Sequence, residues 1–139
     1  MPAKTHKATG SDHLINLQLN GAGARKVNVK SGVPKSKLHV EGSVGFKVVS
    51  KNSNYTAAEE VVIMVDASGG GKAITLPKAS TAKGRTYYIK KIDGSGNNVI
   101  IAGDGAETID GQASQGLGAQ YNCMQVVCDG TAWHIISNK

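Results

Sequence analysis

The chain reads as an all-β protein. An N-terminal extended β arm is expected over residues 1–50, followed by a mostly antiparallel β-sandwich head over residues 51–139. Three observations predict this. Short apolar or alternating runs recur at spacings of about 8–12 residues, separated by turn-forming dipeptides. Glycine is abundant at 18 residues and proline scarce at 3, which fits many tight turns rather than proline-rich linkers. No stretch keeps a helical apolar period. The best helix candidate, Ala79-Ser-Thr-Ala-Lys, is too short to be stable alone.

Residues 1–12 have no hydrophobic pattern and read as an extended lead-in. Ile15-Asn-Leu-Gln-Leu-Asn alternates apolar and polar, the mark of a half-buried strand. Asn20-Gly21 punctuates it, and Lys26-Val-Asn-Val-Lys is a second alternating strand. The arm should pass into the head near residues 50–54. In the head, strands are expected at 60–66, 72–76, 86–92, 98–101, 107–109, 120–127 and 132–136. Asp93-Gly94, Asp104-Gly105, Asp110-Gly111 and Asp129-Gly130 separate them, because Asp-Gly supplies the positive φ that hairpin turns need. Val61-Val-Ile-Met-Val and Val99-Ile-Ile-Ala are apolar on both faces. Such strands are covered on both sides, either by a loop of the same chain or by another subunit.

Charge is unevenly placed. Residues 1–50 hold Lys4, Lys7, Arg25, Lys26, Lys30, Lys35, Lys37 and Lys47 against Asp12 and Glu41. Residues 51–139 hold eight side chains of each sign, so the whole net charge of +6 falls in the first third. A basic arm on a neutral head points to docking on an acidic surface. The basic residues are spread through strand-like alternation, and no aromatics interleave with them to stack on bases, which argues against nucleic acid. No apolar run approaches the ~18 residues of a membrane span. The polar, basic start, Met-Pro-Ala-Lys-Thr-His-Lys, has no apolar signal region, so synthesis in a cytoplasm is expected.

The candidate chemical sites reduce to turns and core. Gly69-Gly70-Gly71-Lys72 lacks the first glycine and the following Ser or Thr of a phosphate loop; Asp66 and Ala73 stand there instead. Asp104, Glu107 and Asp110 form a loose acidic trio without the spacing of a calcium loop, and they make no credible acid pair for glycoside chemistry. His6, His13, His39 and His134 are scattered. Cys123 and Cys128 are five apart, so on a strand their side chains point to opposite faces, and they read as reduced, buried small hydrophobes. No cofactor, metal or catalytic constellation is expected. Trp133, the single tryptophan, reads as the anchor of the last strand. Ile135 shares its face, and Val61 and Ile63 are further core candidates.

Three motifs then stand in a fixed order: Ile74-Thr-Leu-Pro-Lys-Ala-Ser-Thr-Ala-Lys-Gly-Arg-Thr-Tyr-Tyr-Ile-Lys-Lys-Ile-Asp, Glu107-Thr-Ile-Asp-Gly, and Asp129-Gly-Thr-Ala-Trp-His-Ile-Ile. This order resembles the small β-rich module at the C-terminal ends of bacteriophage tail-fibre and other virion proteins. Upstream, Pro34-Lys-Ser-Lys-Leu-His-Val-Glu-Gly resembles the junction ahead of such heads in phage fibre proteins. The resemblance implies a virion structural protein, not an enzyme, whose head assembles as a homotrimer. The partners expected are further copies of itself and the major capsid protein or other virion proteins.

Within that class, a capsid decoration (cement) or head-fibre protein is expected, anchored through Lys4, Lys7, Arg25, Lys26, Lys30, Lys35 and Lys37. About fifty residues precede the head. At ~3.3 Å per residue they reach at most about 165 Å, enough for an arm on a shell and too little for a fibre shaft. The alternative is a tail-fibre tip or receptor-binding tail component. Its contacts with a host-surface glycan would come from loops 93–98 and 113–118.

Overall fold

Alternating burial sets the strands, as in Val62–Val65, where Ile63 and Val65 are fully buried and Val62 and Met64 are half-buried. The computed structural model describes residues 43–139. The seven basic arm residues and the two expected arm strands lie outside them. The described unit, Ser43–Lys139, has nine strands: β1 (Val48–Lys51), β2 (Tyr55–Thr56), β3 (Val62–Val65), β4 (Lys72–Thr75), β5 (Thr86–Lys91), β6 (Val99–Ala102), β7 (Ser114–Leu117), β8 (Cys123–Cys128) and β9 (Trp133–Asn138). The Ala79-Ser-Thr segment forms a single 3-10 turn. The described residues are all-β.

The strands form two sheets, of order β1-β3-β5-β8-β9 and β2-β4-β6-β7. From β1 to β6 the chain changes sheet at every step, and each strand lies parallel to the one two before it. Val48, Val62 and Tyr88 stand in one rung of the five-stranded sheet; Ile74 and Ile101 pair in the other. The chain thus winds through three stacked turns. It then reverses: β7 runs antiparallel to β6, β8 to β5, and β9 to β8.

The expectation of a mostly antiparallel head is therefore corrected. Among the described residues, four of the seven strand pairings are parallel. The Asp66–Gly71 and Asp93–Asn98 segments do not close hairpins. Each instead carries the chain from one sheet to the other. Two Asp-Gly pairs do make local reversals. Asp110 and Gly111 have φ of 49° and 76°, as a two-residue hairpin turn requires. Ile109 and Gln112 exchange backbone hydrogen bonds of 2.8 and 3.0 Å around them. The expected strand at 107–109 is otherwise a loop that contributes only bridges at Ile109. At the second reversal, Asp129 Oδ1 accepts the Thr131 and Ala132 amides at 2.7 and 2.8 Å and turns β8 into β9.

Buried side chains of both sheets join one cluster. Ile63, Val65, Tyr87, Ile89, Val126 and Trp133 come from the larger sheet, and Ile74, Val99, Ile101 and Leu117 from the smaller. The anticipated core residues divide. Ile63 and Trp133 are fully buried, Ile135 is half-buried against the cluster, and Val61 is half-buried at the margin just before β3. Cys128 is buried, Cys123 is half-buried, and both are free thiols. A boundary at residue 50 falls inside β1, which pairs with β3 along its whole length.

Candidate functional site

Parallel stacking of β1, β3 and β5 fixes what lies at the start of each strand. Lys47 O accepts the Val61 and Val62 amides at 3.0 and 3.2 Å, and Val61 O accepts the Tyr88 amide at 2.8 Å. These bonds bring Phe46, the segment Glu59-Glu60-Val61 and the start of β5 around one groove of about 480 Å³. Its lining also includes Arg85, Tyr87, Tyr88 and Gln125.

The groove lining mixes polar and aromatic side chains. Arg85 Nη2 meets Glu59 Oε1 at 2.6 Å. Arg85 Nη1 donates to the Ala58 carbonyl and, at 3.2 Å, to the Tyr87 hydroxyl. Tyr87 donates to Ala58 O at 2.6 Å. Burial pushes the Tyr87 phenol above its ordinary pKa. Glu60 is only 3 % exposed. Its Oε1 accepts the Ala58 amide at 2.8 Å, and its Oε2 is enclosed, with the Tyr55 phenol as a polar neighbour of the carboxylate. The Tyr55 phenol is raised by burial and by the nearby Glu60 carboxylate. Phe46 is 58 % exposed, and Tyr88 presents its ring while its hydroxyl accepts Gln125 Nε2 at 2.9 Å.

A second cluster ties two cross-sheet loops together. Lys91 follows Tyr87 and Ile89 on the inward side of β5 and is fully buried. Its ammonium donates to Asp93 Oδ1 at 2.6 Å and to Asp93 O at 3.0 Å. The carboxylate also accepts the Ser95 hydroxyl, the Ser95 amide at 2.9 Å and the Ala67 amide at 2.7 Å. The Lys91 ammonium, then Ser95, hold the Asp93 carboxyl far below the usual carboxylate range. Asn97 Nδ2 donates to Ala67 O at 2.9 Å. Asp93, Ser95 and Asn97 are thus engaged within the protein, and Asn98 is exposed.

The acidic trio is not a site. Glu107 accepts the Ala79 amide with both oxygens, Asp110 accepts the Ile135 amide, and Asp104 is exposed. Gly103 allows the Glu107 anchor, since a Cβ there would stand 2.6 Å from Glu107 O. Among the described residues, no group of His, Cys, Asp and Glu could hold a metal ion. Lys72 Nζ is bound to Gly70 O at 2.7 Å, and a strand follows it, not a helix. His134 lies 2.9 Å from Asp129 and 3.6 Å from Asp110 on the surface. Trp133 is fully buried, donates to Pro77 O at 3.2 Å and packs 5.6 Å from the Tyr87 ring. It is no sugar platform.

The sequence reading missed Lys91 and Glu60. For Lys91 the signal was there: strand alternation from Tyr87 places it inward, with Asp93 two residues on. For Glu60 there was none. Comparison with protein-family models and with curated proteins finds no match. Among the described residues, no helix is long and apolar enough to cross a membrane.

Proposed function

We propose that the chain is a bacteriophage virion structural protein, a capsid decoration or head-fibre protein whose basic arm anchors it and whose two-sheet sandwich head projects. The observation that carries this is the ordered motif set, which falls on connected parts of one all-β unit. Ile74-Thr-Leu-Pro closes β4, Tyr-Tyr-Ile-Lys-Lys is β5, Glu107 pins the loop after β6, and Asp129-Gly opens the turn into Trp133. The charge split supports an anchor in the arm, because an acidic shell attracts residues 1–50 and leaves the neutral head free.

Virions purified and stripped of their tails test this proposal. The protein is expected to remain with the heads in many copies. Recovery with the tails would favour the receptor-binding alternative, and absence from virions would sink both. Residues 43–139 alone keep β1 and all its pairings and should fail to rebind stripped capsids. Full-length binding should weaken with salt, since exposed charges are screened beyond ~8–10 Å near physiological ionic strength. Normal occupancy by the truncated form would refute the anchor.

The same proposal includes a homotrimer. The outward residues of β3, Val62 and Met64, are already half-covered within the chain. One apolar strip left open is on the smaller sheet. There Ile100 is 38 % exposed and stands in register between Ala73 and Gly116, small residues that permit close approach. Closed symmetry covers such a strip without open-ended growth. Sedimentation of the full chain should give three copies, and Ile100→Asp should shift it toward monomer. A wild-type monomer at micromolar concentration would refute the trimer.

A further inference from the structure

We infer that the groove between Phe46, Glu60 and Tyr88 is a binding site for a cationic side chain, a lysine ammonium or arginine guanidinium presented by a protein partner. This assignment does not depend on the protein being a virion part.

Three observations converge on it. The first is Glu60 itself, a carboxylate 3 % exposed that lines the groove and whose polar neighbours, the Ala58 amide and the Tyr55 phenol, are both neutral. A buried charge is costly unless paired and hydrogen-bonded, and none of the ion pairs among the described residues involves Glu60. An incoming cation supplies the missing charge. The second is that the neighbouring cation is committed elsewhere. Arg85 is held by Glu59, the Ala58 carbonyl and the Tyr87 hydroxyl. Arg85 and Glu59 offset each other, so the groove keeps the negative charge of Glu60. The third is the aromatic lining. Phe46 and Tyr88 are both exposed at the groove, and aromatic rings attract a cation. A ring stacked with a cation already occurs nearby, where Lys51 Nζ lies 3.8 Å from the Tyr55 ring centroid.

The site also excludes other ligands. An anion would meet Glu60 with its only guanidinium already paired. A neutral sugar could stack on Phe46, but it would leave the carboxylate charge uncompensated.

Titration of the full-length protein with Nα-acetyl-lysine amide and Nα-acetyl-arginine amide, followed by amide chemical shifts, tests the assignment. Shifts are expected at Phe46, Glu60, Val61 and Tyr88, with weak affinity suited to one side chain. Salt at about 1 M, where the screening length falls to ~3 Å, should weaken binding. Glu60→Gln should weaken it about tenfold or more, as loss of the opposing charge does. Phe46→Ala, at a position too exposed to be needed for folding, should weaken it about two- to fivefold. Glu60→Gln binding as tightly as wild type would overturn the assignment. So would the absence of shifts with either cation, or binding of a neutral saccharide such as N-acetylglucosamine in their place. If Glu60→Gln fails to fold, Phe46→Ala decides alone, and unchanged affinity there counts against the site.

Discussion

Replacing Trp133 with alanine is expected to cost the head roughly 3–5 kcal/mol, the range for truncating a large buried aromatic. The side chain is fully buried, its indole N–H is bonded to Pro77 O, and its ring leans on Tyr87. The mutation would leave a cavity between β9 and β5 and orphan the Pro77 carbonyl. Small domains hold only about 5–15 kcal/mol in total, so the melting transition should fall steeply. Trp133→Phe fills most of the cavity but loses the hydrogen bond, and it should fall between alanine and wild type. An unchanged melting temperature for Trp133→Ala would mean that the strand is held by something else.

The second large effect is expected at the Lys91–Asp93 pair, and it should be lopsided. Asp93→Asn strands a fully buried ammonium and turns an amide N–H toward the Ala67 donor, or else loses the acceptor facing Lys91. Breaking a buried pair in this way costs about 3–5 kcal/mol. Lys91→Met removes the desolvated charge and leaves Asp93 with the Ala67 and Ser95 donors, so it should be much milder. The pH dependence follows from the same pair. The folded-state pKa of Asp93 is depressed, so its contribution is fully present above the unfolded value of about 3.9 and is lost as pH falls below it. The gap in melting temperature between wild type and Asp93→Asn should therefore be widest near about pH 7 and narrow in acid. Asp129 is held at about 2, by the Ala132 amide first and then by His134 and Thr131. It loses its contribution in the same direction in both proteins and cancels from the comparison. A gap that widened in acid would contradict the assignment.

Strand existence was legible in the sequence wherever β-branched residues alternate or run together, as in β3, β5, β6, β8 and β9. The pairing of those strands was not. Asp-Gly chemistry fixes the local reversal at Asp110-Gly111 and Asp129-Gly130. At Asp93-Gly94 the same dipeptide only starts a longer segment, and nothing in the dipeptide says whether the next strand returns beside its predecessor or crosses to another sheet. The apolar run from Val61 to Val65 carried the missing information, since strands with neighbours on both sides and both faces covered read that way. Two of its outward residues are half-covered inside the chain, so a partner subunit was not needed to explain them. β2 and β7 were invisible for a different reason. Tyr-Thr is too short to show a period, and Ser-Gln-Gly-Leu has little β propensity and is held by its register with β6. The groove shows the same limit, because Phe46, Glu60 and Tyr88 meet only through parallel stacking.

That winding also sets the order in which the molecule can be made. Partners in its parallel rungs are separated by tens of residues, so no local hairpin gathers them, and loop closure has to precede any gain from pairing. The tight reversals lie late in the sequence, at Asp110-Gly111 and between β8 and β9. The core also waits for Trp133 in the last strand. A ribosome releasing the chain from its N-terminus therefore exposes Val61 to Val65 and Val99 to Ile101 well before their cover exists. The head therefore completes its fold only after its last strand has emerged.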